Sequence, residues 1–368
     1  MGNSVFDINT HIRKELKNIE NKKKVDKKGK LNLSSNELLH ERLPGFNRGI
    51  FEKIDINSIS SYRYFPDDIK FLSNIFNIPA EKVLLSAGSD DAIKVVIESV
   101  VKTTGRLIIP YPNYENYFSY AKLRGIDIIP IEFDSNESTP KHTVRDIEKK
   151  LVTTPPSSVV ISNPNGFSGE AFTYEEMFYI CKLSNELNHL LIIDEAYSSF
   201  GDLDHMRLLE SFDNLIIIRS FSKAIGLAGL RIAAIFSSFE LINYIAKWNS
   251  PNSISGFTLE FLRLYLKQPE FLLNIQQDIK QSRSWVKEEI LKKLNFIHIN
   301  ESKANFILLN LGSVDESILF TNYLSKNNII VRNLSHIKGM EGCVRMTIGS
   351  REFMNPVVSI IDNYVAKG

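Results

Sequence analysis

The sequence predicts an α/β protein built on a doubly wound, mostly parallel sheet. Three observations support this: short apolar runs recur between about residues 80 and 236, amphipathic stretches separate them, and polar residues follow the runs directly. Continuous apolar runs are typical of parallel strands that helices cover on both faces. Ligands of such sheets bind beyond the carboxyl ends of the strands. The polar residues that follow the runs are therefore the first candidates for a functional site.

Seven apolar runs are predicted to be strands of this sheet, and all seven are interpreted as parallel. They lie at residues 83–85, 106–109, 126–131, 158–161, 190–193, 215–218 and 231–235. An amphipathic helical region at 255–300 leads away from the sheet. Later runs at 304–309, 329–331 and 343–348 predict a smaller α+β domain. We expect a large domain over residues 45–254, and a small domain with an N-terminal arm from residues 1–44 and 255–368.

Composition limits the classes of partner. The 368 residues are 43% hydrophobic and carry a net charge of +1, so no overall field favours nucleic acid or a membrane surface. Two cysteines far apart, Cys181 and Cys343, indicate neither a disulfide scaffold nor a metal site. No export signal or membrane-spanning run is evident, so we expect a cytoplasmic protein with small-molecule partners. The lysine-rich residues 21–30 could bind an anionic partner, although a solvated helix face is more common.

The most informative segment follows the run at 215–218. It places Lys223 between the hydroxyls of Ser220 and Ser222 on one side and Arg231 on the other. A buried lysine amine with a lowered pKa can form a Schiff base, while hydroxyls and a guanidinium suit a phosphate group. The alternative is a strand, a turn and a surface lysine.

Two further strand ends offer binding groups. Gly88, Ser89 and Asp90 begin a predicted helix, whose free amides suit a phosphate, although Ser89 and Asp90 are also ordinary helix caps. Tyr114 offers an aromatic face on which a flat ring could stack, or it packs in the core.

The next two strand ends carry a carboxylate and an amide. Asp194 ends a buried run, with Tyr197 three residues later, and a carboxylate there could keep a heterocyclic nitrogen protonated; a cap or a metal ligand is the alternative. The adjacent Glu195 should point to the other side of the extended segment. Asn165, in a glycine-containing loop, could contact a ring hydroxyl or a substrate carboxylate, or serve only the turn.

Together these segments resemble the fold-type I pyridoxal-phosphate enzymes, and most closely the histidinol-phosphate aminotransferase branch. The resemblance runs from about residue 33 to the C-terminus. The motifs that carry it are LNLSSNE at 31–37, SAGSDDAI at 86–93, PNY at 112–114, NPNGFSG at 163–169, DEAY at 194–197, SFSKAIGLAGLR at 220–231 and VRMTIGSRE at 344–352.

The resemblance implies pyridoxal 5'-phosphate as the cofactor and assigns a role to each motif. Lys223 would form the Schiff base and shuttle a proton, Asp194 would pair with the pyridine nitrogen, and Tyr197 would donate to the ring oxygen. The residues expected to stack on the ring or to hold the phosphate are Tyr114, Gly88, Ser89, Asp90, Ser220, Ser222 and Arg231. The resemblance also implies a homodimer, in which Tyr64 reaches the phosphate region of the neighbouring subunit.

The resemblance further implies two arginines on the substrate side. Arg345 would bind the α-carboxylate of the amino donor, and Arg332 would contact the phosphate of a phosphorylated substrate; an exposed strand-end arginine is the alternative for Arg332. The position that usually contacts the ring hydroxyl aligns with Gly166, so Asn165 is expected to replace it and to face the substrate.

The expected activity is therefore transamination between an amino acid, with glutamate as the expected donor, and a small phosphorylated carbonyl compound. A phospho-amino-acid decarboxylase of the threonine-phosphate or serine-phosphate type is the alternative, since such enzymes resemble this family. A non-catalytic regulator that binds pyridoxal phosphate is a further alternative, but it predicts a damaged cofactor set or an appended DNA-binding module.

Overall fold

The computed structural model describes residue 16 and residues 28–102, 105–133, 141–294 and 297–365. Most of the lysine-rich segment at 21–30 therefore lies outside the described residues. The strands are β1 (Leu31–Asn32), β2 (Val83–Ser86), β3 (Arg106–Pro110), β4 (Asp127–Ile131), β5 (Ser158–Ser162), β6 (Leu190–Asp194), β7 (Leu215–Ser220), β8 (Ala233–Ser237), β9 (His298–Ile299), β10 (Phe306–Asn310), β11 (Ile329–Ile330), β12 (Arg332–Asn333) and β13 (Cys343–Thr347).

Helices separate most of these strands. The α-helices are α1 (Leu43–Phe51), α2 (Phe65–Phe76), α3 (Ser89–Val100), α4 (Glu115–Leu123), α5 (Val144–Thr153), α6 (Tyr174–Glu186), α7 (Phe239–Ala246), α8 (Gly256–Leu266), α9 (Pro269–Lys293), α10 (Val314–Lys326) and α11 (Arg351–Val365). Within the described ranges, no helix combines the length and the apolar character needed to cross a membrane.

The seven predicted runs form one seven-stranded sheet, in the order β2-β8-β7-β6-β5-β3-β4. Alternate residues of the central strand β7 face opposite sides of the sheet. Ile217 belongs to a core cluster with residues of α2, α5, α6 and α8, and Ile216 belongs to another with residues of α3, α4 and α7. Both faces are thus buried, which is why the runs are continuously apolar.

One strand direction differs from the prediction. β8 is antiparallel to both of its neighbours, β2 and β7, while the other pairs in the sheet are parallel. The reading of the run at 231–235 as a parallel strand was wrong. Residues 221–232 connect β7 to β8 with only a short 3₁₀ turn, Ala228–Leu230, and a parallel connection needs a longer crossover. The short connection holds Lys223 and Arg231 in one compact loop.

A second, antiparallel sheet has the order β12-β13-β10-β9 and packs with the second half of α9, α10 and α11. The N-terminal strand β1 pairs with β11 beside it, and Leu33 continues the contact, since its carbonyl accepts from the amide of Thr347 at 2.8 Å. The N-terminal segment is therefore fixed at the edge of the smaller sheet. Helix α8 packs into the core of the large sheet, and the predicted domain boundary near residue 254 stays a prediction.

Candidate active site

The carboxyl ends of the parallel strands bring the predicted residues to one edge of the large sheet. Asp194 ends β6, and its register partners are Ser162 at the end of β5 and Ile218 in β7. The loop with Lys223 follows β7 directly. Neighbouring strand ends meet because the strands run in the same direction, as the order of polar residues along the sequence predicted.

Asp194 is a buried carboxylate with only 5% of its surface exposed. Its Oδ2 accepts from the Tyr117 hydroxyl at 3.1 Å and its Oδ1 from the amide of Ala196 at 3.0 Å. Burial raises the pKa of Asp194 to about 6, although both hydrogen bonds favour the ionised form. Among the described residues, no cationic side chain forms a salt bridge with this carboxylate. A buried carboxylate in this state fits a ligand with a protonated ring nitrogen.

Tyr117 was missed by the sequence reasoning. Its side chain is fully buried, and burial together with the Asp194 charge raises the pKa of its hydroxyl. It lies three residues after Tyr114, in the first turn of α4, which follows the PNY motif directly. That spacing was the available signal.

Behind Asp194, Glu195 points to the other side of the strand, as predicted. It is fully buried, and it accepts hydrogen bonds from Arg219 Nε at 2.9 Å and from the His205 ring at 2.7 Å. Burial opposes ionisation, but Arg219 and His205 lower the pKa of Glu195 to about 2. The other His205 nitrogen lies 3.3 Å from Asn163 Nδ2. This buried network ties the end of β6 to β7 and to the loop that begins at Asn163.

Lys223 is half-buried, and its Nζ donates to the carbonyl of Ser35 at 2.6 Å. In the same loop, the amide of Ser222 donates to the Ser220 hydroxyl at 3.2 Å. Ser35 follows β1, so the partner of the lysine comes from the N-terminal segment. The sequence reasoning did not assign this contact.

Gly88, Asp90, Ser222 and Arg231 form a cradle at the N-terminus of α3. Arg231 Nη2 lies 3.2 Å from Asp90 Oδ2, and Nη1 lies 3.5 Å from the Ser222 hydroxyl. The free amides at the start of this 12-residue helix, including that of Ser89, face the same region. Amides, a hydroxyl and a guanidinium are the donors that a phosphate needs, so the cradle fits the predicted cofactor.

Gly88 is required by this cradle. Its φ is +91°, and a Cβ built there would lie 2.8 Å from Arg231 Nη2. We expect Gly88→Ala to lower the free energy of unfolding by about 1–3 kcal/mol and to weaken binding of pyridoxal 5'-phosphate about tenfold or more by displacing Arg231. Thermal unfolding and a cofactor titration measure the two effects.

Gly229→Ala is the matched control for Gly88→Ala. Gly229 lies in the turn just before Arg231, and a Cβ there would meet nothing within 4 Å. It should leave cofactor binding unchanged. Cofactor affinity retained in Gly88→Ala would contradict the role of the cradle.

Tyr197 lies beside the loop at 163–169 and is contacted by the N-terminal segment. Its hydroxyl accepts from Asn36 Nδ2 at 2.9 Å, and a Cβ built on Gly166 would lie 3.5 Å from the Tyr197 ring. Gly166 thus leaves room against the tyrosine. Asn36, which is fully buried, belongs to the motif at 31–37, but its contact with Tyr197 was not predicted from the sequence.

The Asn165 side chain is engaged by backbone groups. Its oxygen accepts from the amides of Phe167 at 2.8 Å and Ser168 at 3.2 Å, and its nitrogen donates to the Pro112 carbonyl at 3.2 Å. In this arrangement Asn165 shapes its own loop. Its predicted contacts with a ring hydroxyl and a substrate stay predictions.

Arg345 and Arg332 are register partners on the adjacent strands β13 and β12. Arg345 is 6% exposed and donates to the carbonyls of Ser34, at 3.0 Å, and Gly166, while its Nε has no hydrogen-bond partner among the described residues. Burial lowers the pKa of Arg345 to about 10. Arg332 Nη2 lies 2.7 Å from Glu115 Oε1. These two arginines lie on the side of the site that the smaller sheet provides.

The two remaining predicted tyrosines differ in position. The Tyr114 hydroxyl donates to Asp90 Oδ1 at 2.7 Å, so its ring lies at the cradle. Tyr64 precedes α2 and is 70% exposed, and the structure gives it no contact with the cradle in its own chain among the described residues.

Comparison with known proteins gives the family. The sequence model of aminotransferase class I and II matches residues 28–361. The chain belongs to this family. A class I and II aminotransferase depends on pyridoxal 5'-phosphate, which confirms the predicted cofactor, the fold type and the transaminase class.

Several relatives of this aminotransferase are histidinol-phosphate aminotransferases. A histidinol-phosphate aminotransferase from Caldanaerobacter subterraneus is 25% identical over 350 residues, which cover 94% of this chain and 96% of the relative. One from Hydrogenobaculum is 29% identical over 294 residues, 79% of each chain. The crystal structure of histidinol-phosphate aminotransferase from Clostridium acetobutylicum superposes with a TM-score of 0.81 at 23% identity, over 92% of this chain and 100% of that one.

The aminotransferase fold also occurs in a decarboxylase. L-threonine-O-3-phosphate decarboxylase from Porphyromonas gingivalis superposes with a TM-score of 0.74 at 18% identity, over 91% of this chain and 99% of that one. At this identity the likeness shows the fold alone, so it does not distinguish transamination from decarboxylation.

Proposed function

We propose that this aminotransferase moves the amino group of an amino acid, with glutamate as the expected donor, to a small phosphorylated carbonyl compound. The observation that carries the proposal is the placement of three consecutive residues. The Ser34 carbonyl accepts from Arg345, the Ser35 carbonyl accepts from Lys223, and Asn36 donates to Tyr197. One short segment thus holds an anion-binding arginine beside the lysine amine.

Different residues of the site would bind the cofactor and act on the substrate. When bound, pyridoxal 5'-phosphate supplies an aldehyde and an electron-accepting ring. The cradle with Arg231 would hold its phosphate, and Asp194 would hold a proton on the ring nitrogen. The Lys223 amine would move the proton at the substrate Cα, because the Ser35 carbonyl holds it in the site and an amine can both accept and donate a proton.

The two arginines account for the expected substrate class. The buried Nε of Arg345, which has no hydrogen-bond partner in the described part of the chain, suits a second contact to an α-carboxylate. Arg332 lies on the neighbouring strand and would take a group at the far end of the substrate. The relatives from Caldanaerobacter and Hydrogenobaculum are named for a phosphorylated substrate, which supports a phosphate there.

We also propose that the active form is a cytoplasmic homodimer. Five large side chains between the end of α1 and the start of α2 are highly exposed in the single chain. They are Phe51, Ile56, Ile59, Tyr62 and Tyr64. A second copy would cover them and would bring Tyr64 near the partner's cradle. Cys181 and Cys343 are buried free thiols, which fits a reducing compartment. Light scattering of the purified protein measures the oligomeric state.

A panel of amino donors tests the reaction. Purified protein loaded with pyridoxal 5'-phosphate is mixed with glutamate, glutamine or O-phosphoserine, and products are followed by absorbance and mass. We expect the cofactor to be converted to pyridoxamine phosphate, with the donor recovered as its keto acid. Carbon dioxide with unchanged cofactor would instead support the decarboxylase alternative, and no conversion with any donor would overturn the proposal.

A further inference from the structure

Two cations lie side by side at the far wall of the site. Arg332 and Arg345 are directly opposite each other on antiparallel strands, and each guanidinium lies over the ring of Phe167, at 5.7 Å and 5.8 Å from its centroid. Like charges directly opposite across a strand pair repel each other. This arrangement therefore favours an anionic group next to the arginines.

Glu115 already supplies one anion. It is the first residue of α4, directly after the PNY motif, and its Oε1 lies 2.7 Å from Arg332 Nη2. Arg332 belongs to the smaller sheet, so the ion pair links the two sides of the site. The side chains are 35% exposed for Arg332 and 50% exposed for Glu115. A pair this exposed contributes little stability and can exchange partners with a ligand.

We propose that Glu115 sets a charge threshold at Arg332, so that Arg332 selects a substrate whose distal group is a dianion over one whose distal group is a monoanion or neutral. The inference rests on the proposed function, because the distal group is that of the phosphorylated carbonyl compound that receives the amino group. It adds Glu115 as a specificity-determining residue.

The threshold follows from Coulomb's law. Arg332 contacts Glu115 through Nη2, so a distal carboxylate either replaces the Glu115 carboxylate or binds the other guanidinium nitrogens beside it. In the first case one single negative charge is exchanged for another, and in the second the two carboxylates repel each other, so little attraction is gained in either. A phosphate dianion brings twice the charge to the same guanidinium, while its repulsion from the displaced Glu115 acts over a longer distance. A monoanionic distal group should therefore bind no better than a neutral one, and a dianionic group should bind better than both.

Glu115 also has an ordinary structural explanation, and the test must distinguish it from the proposed effect on ligand selection. Acidic residues in the first turn stabilise a helix through its dipole. That role involves the charge of Glu115 and α4 alone, and it predicts no dependence on the charge of a ligand. Glu175 is an exposed acid that also lies in the first turn of its helix, as the second residue of α6 and away from this site, so Glu175→Gln provides the control.

The experiment measures three unreactive ligands that differ in the charge of the distal group: glutaramate (neutral), glutarate (monoanion) and 4-phosphonobutyrate, at a pH where it is a dianion. Calorimetry gives their affinities for the protein loaded with pyridoxal 5'-phosphate. In the unchanged protein, glutarate should bind within about twofold of glutaramate, and 4-phosphonobutyrate should bind more tightly. In Glu115→Gln, the preference for glutarate over glutaramate should rise to about fivefold.

Glu115→Asp keeps the charge and should keep the glutarate preference low, as should Glu175→Gln. The inference is overturned if glutarate already binds several-fold better than glutaramate in the unchanged protein, or if Glu115→Gln leaves that ratio unchanged. These ligands do not react, so the result does not depend on turnover. A failure of every amino donor to form pyridoxamine phosphate would overturn the proposed function separately.

Discussion

Replacing Lys223 with alanine is expected to lower the rate of pyridoxamine phosphate formation by about 10⁴-fold or more. The side chain is the covalent anchor and the proton carrier in the proposed reaction, and its amine is held by the Ser35 carbonyl at 2.6 Å. The visible absorbance of the bound cofactor should also shift to that of free pyridoxal 5'-phosphate. Stopped-flow absorbance with glutamate or O-phosphoserine measures both effects.

Two variants make this result specific. Lys223→Arg keeps a cation that can donate to Ser35 but lacks a nucleophilic amine, so it should be as inactive as the alanine variant. Lys247→Ala removes an exposed lysine that lies over Tyr244 and should leave the rate unchanged. If Lys223→Ala kept the absorbance band of the unchanged protein, the assignment of the anchoring lysine would fail.

Replacing Asp194 with asparagine is expected to have opposite effects on activity and stability. The rate of the loaded enzyme should fall about 10³-fold, because the ring nitrogen loses its charged partner. The cofactor-free protein should become more stable at pH 8, by up to about 3 kcal/mol, because ionised Asp194 is buried and no cation among the described residues pairs with it. Asparagine can still accept from the amide of Ala196, which now donates to Asp194 Oδ1 at 3.0 Å.

The stabilising effect of Asp194→Asn should depend on pH, because it depends on the ionisation of Asp194. Burial raises the pKa of Asp194 from its ordinary 3.8 to about 6 in the cofactor-free protein. The cost of ionisation is absent below the ordinary pKa, grows between the two values and is complete above pH 6. The difference in unfolding free energy between Asp194→Asn and the unchanged protein should therefore vanish near pH 4. A constant difference from pH 4 to pH 8, or full activity of the variant, would refute this role.

The sequence was sufficient to predict those features that depend on residues close together in the chain. Continuous apolar runs have no polar face, so they predict buried strands, and Asp194 and Lys223 were found because they follow such runs directly. The direction of β8 was not encoded in its composition. The absence of a helix between Lys223 and β8 was the available signal, because a short connection reverses the chain.

Contacts between distant parts of the chain could not be predicted in this way. Ser35 and Asn36 reach the site because the two-residue strands β1 and β11 pair, and a strand of two residues has no periodicity to detect. The ion pair of Glu115 with Arg332 likewise joins residues 217 positions apart. The orientation of the Asn165 amide depends on the amides of its own loop, which only the folded backbone places.

The pairing of β1 with the C-terminal part of the chain sets an order for how the enzyme is completed during its synthesis. The cradle and Lys223 lie between residues 88 and 231, so they can assemble while the rest is still being translated. Asn36 can take its position only after Thr347, 311 residues later, has been synthesised, because the Asn36 amide donates a hydrogen bond to the Thr347 hydroxyl at 3.0 Å. With the proposed roles of these residues, a nascent chain would therefore have its cofactor site well before its substrate site.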